Sequence, residues 1–225
     1  MQQNLKFAFL AAAFIFVSAS GSADASERET GWYAQASIGP SLLNYNGQDT
    51  ANYLVNTAGW QSANVSYNTL SANFGVSGGY KFINYFALEG GVRYLGYVSA
   101  DLHPIGSIGS GVFCNLNRCG HEDVDAGAFY VAGVGRLPVG DRVTILGKLG
   151  LSDTLVDSRA WAYVGTGGSS FYRYSWSTST SHIAPTVGIG VEFMSHYALN
   201  FDHYDSGYTK LGTISTFSFS YVQHW

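Results

Sequence analysis

This chain has little charge. Of its 225 residues only 12% are Asp, Glu, Lys or Arg, about half the roughly 25% usual in soluble domains. The formal net charge of −4 leaves no basic field of the kind nucleic-acid binding requires. Two cysteines, Cys114 and Cys119, are too few for a disulfide-rich scaffold. In an oxidising compartment they can pair and close one short loop, a ring worth roughly 2 kcal/mol in the entropy model. Asn115 to Arg118 offers no further soft ligand, and no His-x-His or Cys/His cluster suggests a metal site. A phosphate loop and a dinucleotide fingerprint are both absent, so no cofactor is implied. Long apolar runs are also missing: Phe7 to Val17 spans 11 residues, where a membrane-crossing helix needs about 20.

That run does have the form of an export signal. Lys6 supplies a short basic region before it, and Ala23-Asp24-Ala25 offers a small-x-small cleavage site. Residues 1–25 are read as the signal and 26–225 as one domain of about 200 residues.

Aromatic residues and glycine are abundant: 16% aromatic, with 16 Tyr and 28 Gly. Their arrangement follows a two-residue period. In the last nine residues Phe217, Phe219, Tyr221 and Trp225 share one phase, and Ser218, Ser220 and His224 the other. A strand with lipid on one side and water on the other reads this way. Eight such strands are expected, near 30–42, 66–80, 85–97, 124–137, 142–155, 181–193, 197–204 and 211–225. The connections alternate. Long ones cover 43–65, 98–123 and 156–180; short ones cover 81–84, 138–141 and 194–196. Short turns at one end and long loops at the other, with an even strand number, are the asymmetry of a closed barrel in an outer membrane. Eight strands enclose a lumen that side chains fill. Because an unpaired backbone edge is not tolerated in lipid, the first and eighth strands must pair. The fold expected is all-β, an eight-stranded antiparallel up-and-down transmembrane barrel.

Glu89, Arg93, Lys148, Glu192 and Asp202 fall in the phase opposite the apolar residues, with Arg136 a further candidate. On the lipid face an Arg or Lys at the midplane costs roughly 2–4 kcal/mol; inside a narrow barrel these charges can pair. They form either an ionic plug or the lining of a narrow, porin-like channel.

Several segments resemble the OmpA-like family of outer-membrane barrels. They are Gly31-Trp32-Tyr33-Ala34, the run Gly79 to Gly91 (GYKFINYFALEGG), Leu146-Gly147-Lys148-Leu149-Gly150, Ala184 to Phe193 (APTVGIGVEF), and the turn leading into Tyr197 to Asp202. The resemblance spans essentially the whole mature chain. It implies that Glu89, Lys148 and Glu192 are core charges, and that Phe217, Phe219, Tyr221 and Trp225 form the assembly signal read by the barrel-assembly machinery. The chain departs from the family in its terminal Trp225, where Phe is usual, and in Gln223 at a position normally aromatic or apolar. No peptidoglycan-binding domain follows Trp225 in this sequence.

His203, Asp205 and Ser206 lie close together and invite a hydrolase reading, since some barrels of this size modify lipid A. His203 falls in the lipid-facing phase, however, and the favoured reading is not an enzyme. Aromatics also mark the expected external loops: Tyr45, Tyr53, Trp60 and Tyr67 in the first, and Trp161, Tyr163, Phe171, Tyr172, Tyr174 and Trp176 in the third. Such composition suits a binding surface or interface anchors. The combined expectation is a bacterial outer-membrane protein with a structural or surface-interaction role in envelope integrity or adhesion. Its partners would be outer-membrane lipid and lipopolysaccharide, the assembly machinery and an extracellular ligand held by the loops.

Overall fold

A computed structural model describes residues 30–57, 63–104, 119–165 and 171–225. In chain order the elements are β1 (Gly31–Leu43), α1 (Gln48–Thr57), β2 (Ala63–Tyr67), β3 (Leu70–Ile83), β4 (Phe86–Pro104), β5 (Gly120–Pro138), β6 (Val143–Gly165), β7 (Phe171–Phe193), β8 (Tyr197–Asp205) and β9 (Thr213–His224). Eight of the nine strands form a ring in the order β4-β3-β1-β9-β8-β7-β6-β5, and β5 returns to β4. Every pairing is antiparallel. The first and last staves close the ring from Tyr33↔His224 to Leu43↔Ile214, and the Trp225 amide donates to the Trp32 carbonyl at 3.0 Å.

The stave expected over 66–80 is two strands. β2 pairs with the upper part of β4, Ala63↔Pro104 to Tyr67↔Ala100, and β3 pairs with its lower part. The register of β4 shifts between Tyr94 and Gly96, where Gly96 has φ 118°. A side chain there would meet the Ser41 hydroxyl at 2.7 Å, so glycine is required on both counts.

Alternation along each strand separates two surfaces. Ile38, Leu88, Val131, Leu149, Ile189 and Phe201 are exposed on the outside, while Ala87, Ala132, Leu146, Ala198 and Val222 are buried inside. On β5 the outward residues Phe129 to Leu137 form the apolar belt, and Asp125 and Asp123 follow above it. Asp153 and Asp157 take the same place on β6. Nine to eleven tilted residues suffice to cross a bilayer. β8 and β9, with 9 and 12 residues, are near that length. β6 and β7 have 23 each and rise far above the belt.

The connection expected over 156–180 is therefore largely strand, and the one expected over 98–123 is strand at both its ends. β4 continues to Pro104, β5 begins at Gly120, and β6 and β7 pair up to Gly165↔Phe171. The reason is environmental: beyond the lipid the outer face meets water, so outward positions such as Asp157 and Arg159 need not be apolar, and hydrophobic alternation fades while the hydrogen-bond ladder persists. The first connection carries α1 and β2. The expected signal segment and Cys114 lie outside the described residues. Cys119 is fully buried beside Leu102 and Ala162.

Candidate functional site: the lumen and the external wall

The inward phase of the strands stacks ion pairs along the barrel. Nearest the short turns, Arg136 Nη2 donates to Glu192 Oε1 at 2.8 Å, and His224 Nε2 lies 3.9 Å from the same oxygen. One layer higher, Lys148 Nζ donates to Glu89 Oε1 at 2.9 Å. The Tyr130 and Tyr33 hydroxyls also donate to this carboxylate, at 2.8 and 3.0 Å. Above them Arg93 Nη1 donates to Asp202 Oδ2 at 2.7 Å and to Thr216 Oγ1 at 2.9 Å. All six charged side chains are buried. Arg136–Glu192 and Lys148–Glu89 join next-but-one staves, whereas Arg93–Asp202 ties β4 to β8 on the opposite side of the ring.

Above Arg93 the lumen turns apolar. Leu43, Leu95, Val98, Val124, Val156 and Ile214 belong to one packed cluster with Tyr45, Tyr204 and Leu211. A second apolar cluster, including Tyr33, Val134, Leu146 and Val222, packs at the level of the lower ion pairs, with Leu146 opposite Arg136 and Val134 opposite Lys148. The ionic layers are thus covered by apolar packing above and interleaved with it below.

One carboxylate sits above the upper cluster, beyond the belt. Glu122 is fully buried and accepts four hydrogen bonds from four segments. Thr50 Oγ1 of α1 donates at 2.6 Å, the Tyr45 hydroxyl at 2.9 Å, Ser158 Oγ of β6 at 2.8 Å and Lys210 Nζ of the β8–β9 connection at 3.0 Å. Burial alone would raise the Glu122 carboxyl. The Lys210 charge and the hydrogen bonds from Thr50, Lys210 and Ser158 outweigh it and hold the group below its ordinary range. The Tyr45 phenol is pushed far up by burial and by the adjacent Glu122, so it stays a neutral donor. Sequence reading passed over this site because Glu122 precedes the strand start expected at Val124. The available signal was its phase: Glu122 continues the inward series Val124, Ala126, Ala128.

Outside, the β6–β7 ribbon carries Trp161 and Tyr163 in edge-to-face contact, with centroids 5.8 Å apart, and the Arg173 guanidinium lies 4.4 Å from the Trp161 ring centre. On the inward face of the same ribbon Tyr174 and Trp176 stack at 5.8 Å, with Trp176 packed against the Leu102, Cys119 and Ala162 cluster. In the first connection Tyr45 turns inward and meets Tyr67 edge-to-face at 5.0 Å. Trp60 lies outside the described residues. β8 pairs with β7 only from Val187↔His203 downward. Among the described residues, the opposite edge of β7 above that point has no strand partner.

His203, Asp205 and Ser206 do not assemble into a triad. His203 Nδ1 shares a hydrogen bond with Ser215 Oγ at 3.0 Å. Asp205 Oδ1 accepts from the Gly207 amide at 3.0 Å, and the Ser206 hydroxyl is engaged with Tyr208 backbone atoms at 3.1 and 3.3 Å. The acid and the hydroxyl thus build a tight turn. Among the described residues no group of three His, Cys, Asp or Glu side chains could hold a metal ion. Phe217, Phe219 and Tyr221 face outward on β9, with Tyr197 stacked on Phe219 at 5.8 Å.

A closed ring of eight staves, an apolar outer belt and a filled, charged interior define a transmembrane β-barrel. The chain belongs to the outer membrane protein beta-barrel domain family, whose model matches residues 9–222. It is thus an integral protein of the bacterial outer membrane. Three solved structures are similar in outline. Ail, the attachment invasion locus protein of Yersinia pestis, solved with the heparin analogue sucrose octasulfate, is 13% identical over 86% of this chain and 99% of its own, with a TM-score of 0.42. Neisserial surface protein A is 16% identical over 88% and 100%, TM-score 0.42. OprG of Pseudomonas aeruginosa is 10% identical over 88% and 98%, TM-score 0.41. No curated protein matches the chain by sequence.

Proposed function

We propose that this protein is a sealed outer-membrane anchor that presents an external β-wall for contact with other macromolecules, in adhesion or in maintaining the envelope. The observation that carries this reading is the open upper edge of β7. Ser175 to Ser181 is a Ser/Thr-rich run interrupted only by Trp176 and contains no Lys or Pro, the residues that usually guard an exposed edge. Along Ser177 to Ser181 the backbone groups on the side away from β6 have no strand partner among the described residues, and an extended polypeptide can add there as a further strand. The terminal aromatics Phe217, Phe219, Tyr221 and Trp225 act beforehand, as the signal for assembly into the membrane.

The test is adhesion of cells that display the protein. Ser177→Pro and Ser179→Pro together remove two edge amides and are expected to abolish adhesion while the barrel keeps its heat-modifiable gel mobility. Unchanged adhesion would overturn the role of the edge. The apolar layer around Leu95, Val124 and Ile214 supports a closed lumen rather than a narrow channel. Purified protein in planar bilayers is expected to give no conductance steps, and regular steps would replace the sealed reading with the channel.

A further inference from the structure

The outer belt is interrupted on the β1–β3–β4–β5 side, near the short-turn end. A groove of about 460 Å³ opens there between Trp32, Tyr80, Leu88 and Val131, and its floor is Gly78 and Gly90. These two glycines are direct partners across β3 and β4, and both lie in the outward phase. Neither has a positive φ. A Cβ on Gly78 would come no closer than 3.7 Å to the Tyr33 carbonyl oxygen, and one on Gly90 would lie 3.5 Å from that of Tyr130. Neither backbone conformation nor packing therefore demands glycine, although glycine weakens a strand. Gly133, also outward, differs: the Phe86 ring covers it at 3.3 Å from where its Cβ would stand. What Gly78 and Gly90 provide is unfilled space.

We propose that this groove holds one acyl chain of a membrane lipid. The inference is independent of the surface-interaction role and rests only on the placement of the barrel in the outer membrane. The groove opens into hydrocarbon and presents no charge. Glu89 contributes to its wall, but both carboxylate oxygens are engaged inside the lumen by Tyr33, Tyr130 and Lys148. The occupant is therefore apolar. It is also slender: the convex wall of a second barrel would rest on the ridges and leave the glycine floor without contacts, forfeiting its dispersion attraction, whereas a flexible chain reaches the floor. The ridge is a linked aromatic wall, with Trp32 and Tyr80 edge-to-face at 5.0 Å and Tyr80 and Phe82 likewise at 5.0 Å.

The protein is reconstituted into phosphatidylethanolamine–phosphatidylglycerol vesicles containing a trace of phosphatidylcholine with a diazirine on one acyl chain, then irradiated and mapped by peptide mass spectrometry. Labelling is expected to concentrate on Trp32, Tyr80 and Leu88 above the level at Leu149 and Ile189 elsewhere in the belt. Gly78→Leu and Gly90→Leu, which fill the groove, are expected to lower groove labelling roughly fivefold. Gly147→Leu, at an outward glycine with nothing within 4 Å, is expected to leave it unchanged. Uniform labelling around the belt, or labelling unaffected by the filling variants, would overturn the groove while leaving the membrane barrel standing. Cross-linked dimers joined through Trp32 would assign the groove to a second copy instead. Absence of label anywhere in the belt would remove the membrane placement and the proposal together.

Discussion

Two carboxylates in this barrel are buried and fully engaged, yet they are held by different kinds of structure. Glu89 sits within the belt, and all its donors, Tyr33, Tyr130 and Lys148, stand on strands of the ring. Glu122 sits above the belt, and three of its four donors, Tyr45, Thr50 and Lys210, come from connections and α1. The chemistry is the same, a desolvated anion surrounded by donors, but the supports differ. Ring strands cannot move apart without breaking ladders that lipid will not replace. Segments in water can, because water satisfies whatever they release. The Glu89 layer is therefore part of the barrel's integrity, and the Glu122 layer is a clasp that holds the external cap down.

The largest expected effect breaks the lower carboxylate site. Lys148→Met leaves Glu89 buried without its cation and is expected to cost about 3–5 kcal/mol, read as a lower urea midpoint for unfolding from lipid vesicles. The double variant Glu89→Met with Lys148→Met is expected to recover most of that loss, since an apolar pair of similar volume replaces a buried ion pair at little cost. A double variant as unstable as the single one would mean that the layer does more than fill space.

The upper site should respond locally. Glu122→Gln removes the charge from its hydrogen bonds and is expected to cost roughly 1.5–3 kcal/mol, confined to the cap. Amide exchange over residues 44–57 should rise while that of the β5–β6 ladder in the belt stays unchanged. A rise in neither region, or a rise in both, would erase the distinction between clasp and stave.

Acid should reproduce that loosening in the wild type. The Glu122 carboxyl is lowered in the folded state, so its contribution is fully present above the ordinary Glu value of about 4.3 and declines as pH falls through the folded value. Protease cleavage within 44–57 is expected to rise below about pH 4, and this rise should be absent in Glu122→Gln. The smallest effect belongs to the external ribbon. Arg173→Ala removes a solvent-exposed cation–π contact with Trp161 and is expected to cost only about 0.5–1 kcal/mol, visible as a shift in Trp fluorescence with no change in the unfolding midpoint of the barrel.

How much could be read in advance varies with the surroundings of each segment. Within the belt, residues such as Leu149, Ile189 and Phe219 face lipid while their neighbours face the lumen, so each side chain declares its side and the strand positions follow. Above the belt the outer face meets water while the inner face stays buried, at Val156, Ser158, Ala160 and Ala162. There Asp157, Arg159 and Ser177 carry no such mark, and β6 and β7 read as loop although their ladder continues to Gly165↔Phe171. The nearness of His203, Asp205 and Ser206 in the chain carries no triad for a related reason. Closeness in sequence at a strand end builds a turn, here with Asp205 and Ser206 bonded to the backbone of Gly207 and Tyr208, and only register decides that His203 meets Ser215.

By itself the sequence determined that eight staves alternate lipid and lumen, that the ring must close through its terminal strand, and which phase carries the charges. These follow from a local rule, the two-residue period of a strand between two solvents. Only the tertiary structure decided which charge meets which, that Glu122 gathers Tyr45, Thr50, Ser158 and Lys210, that β7 rises past its partner with an open edge, and that Gly78 and Gly90 face each other across a groove. Those depend on register and stagger between strands distant in the chain, which no local pattern encodes.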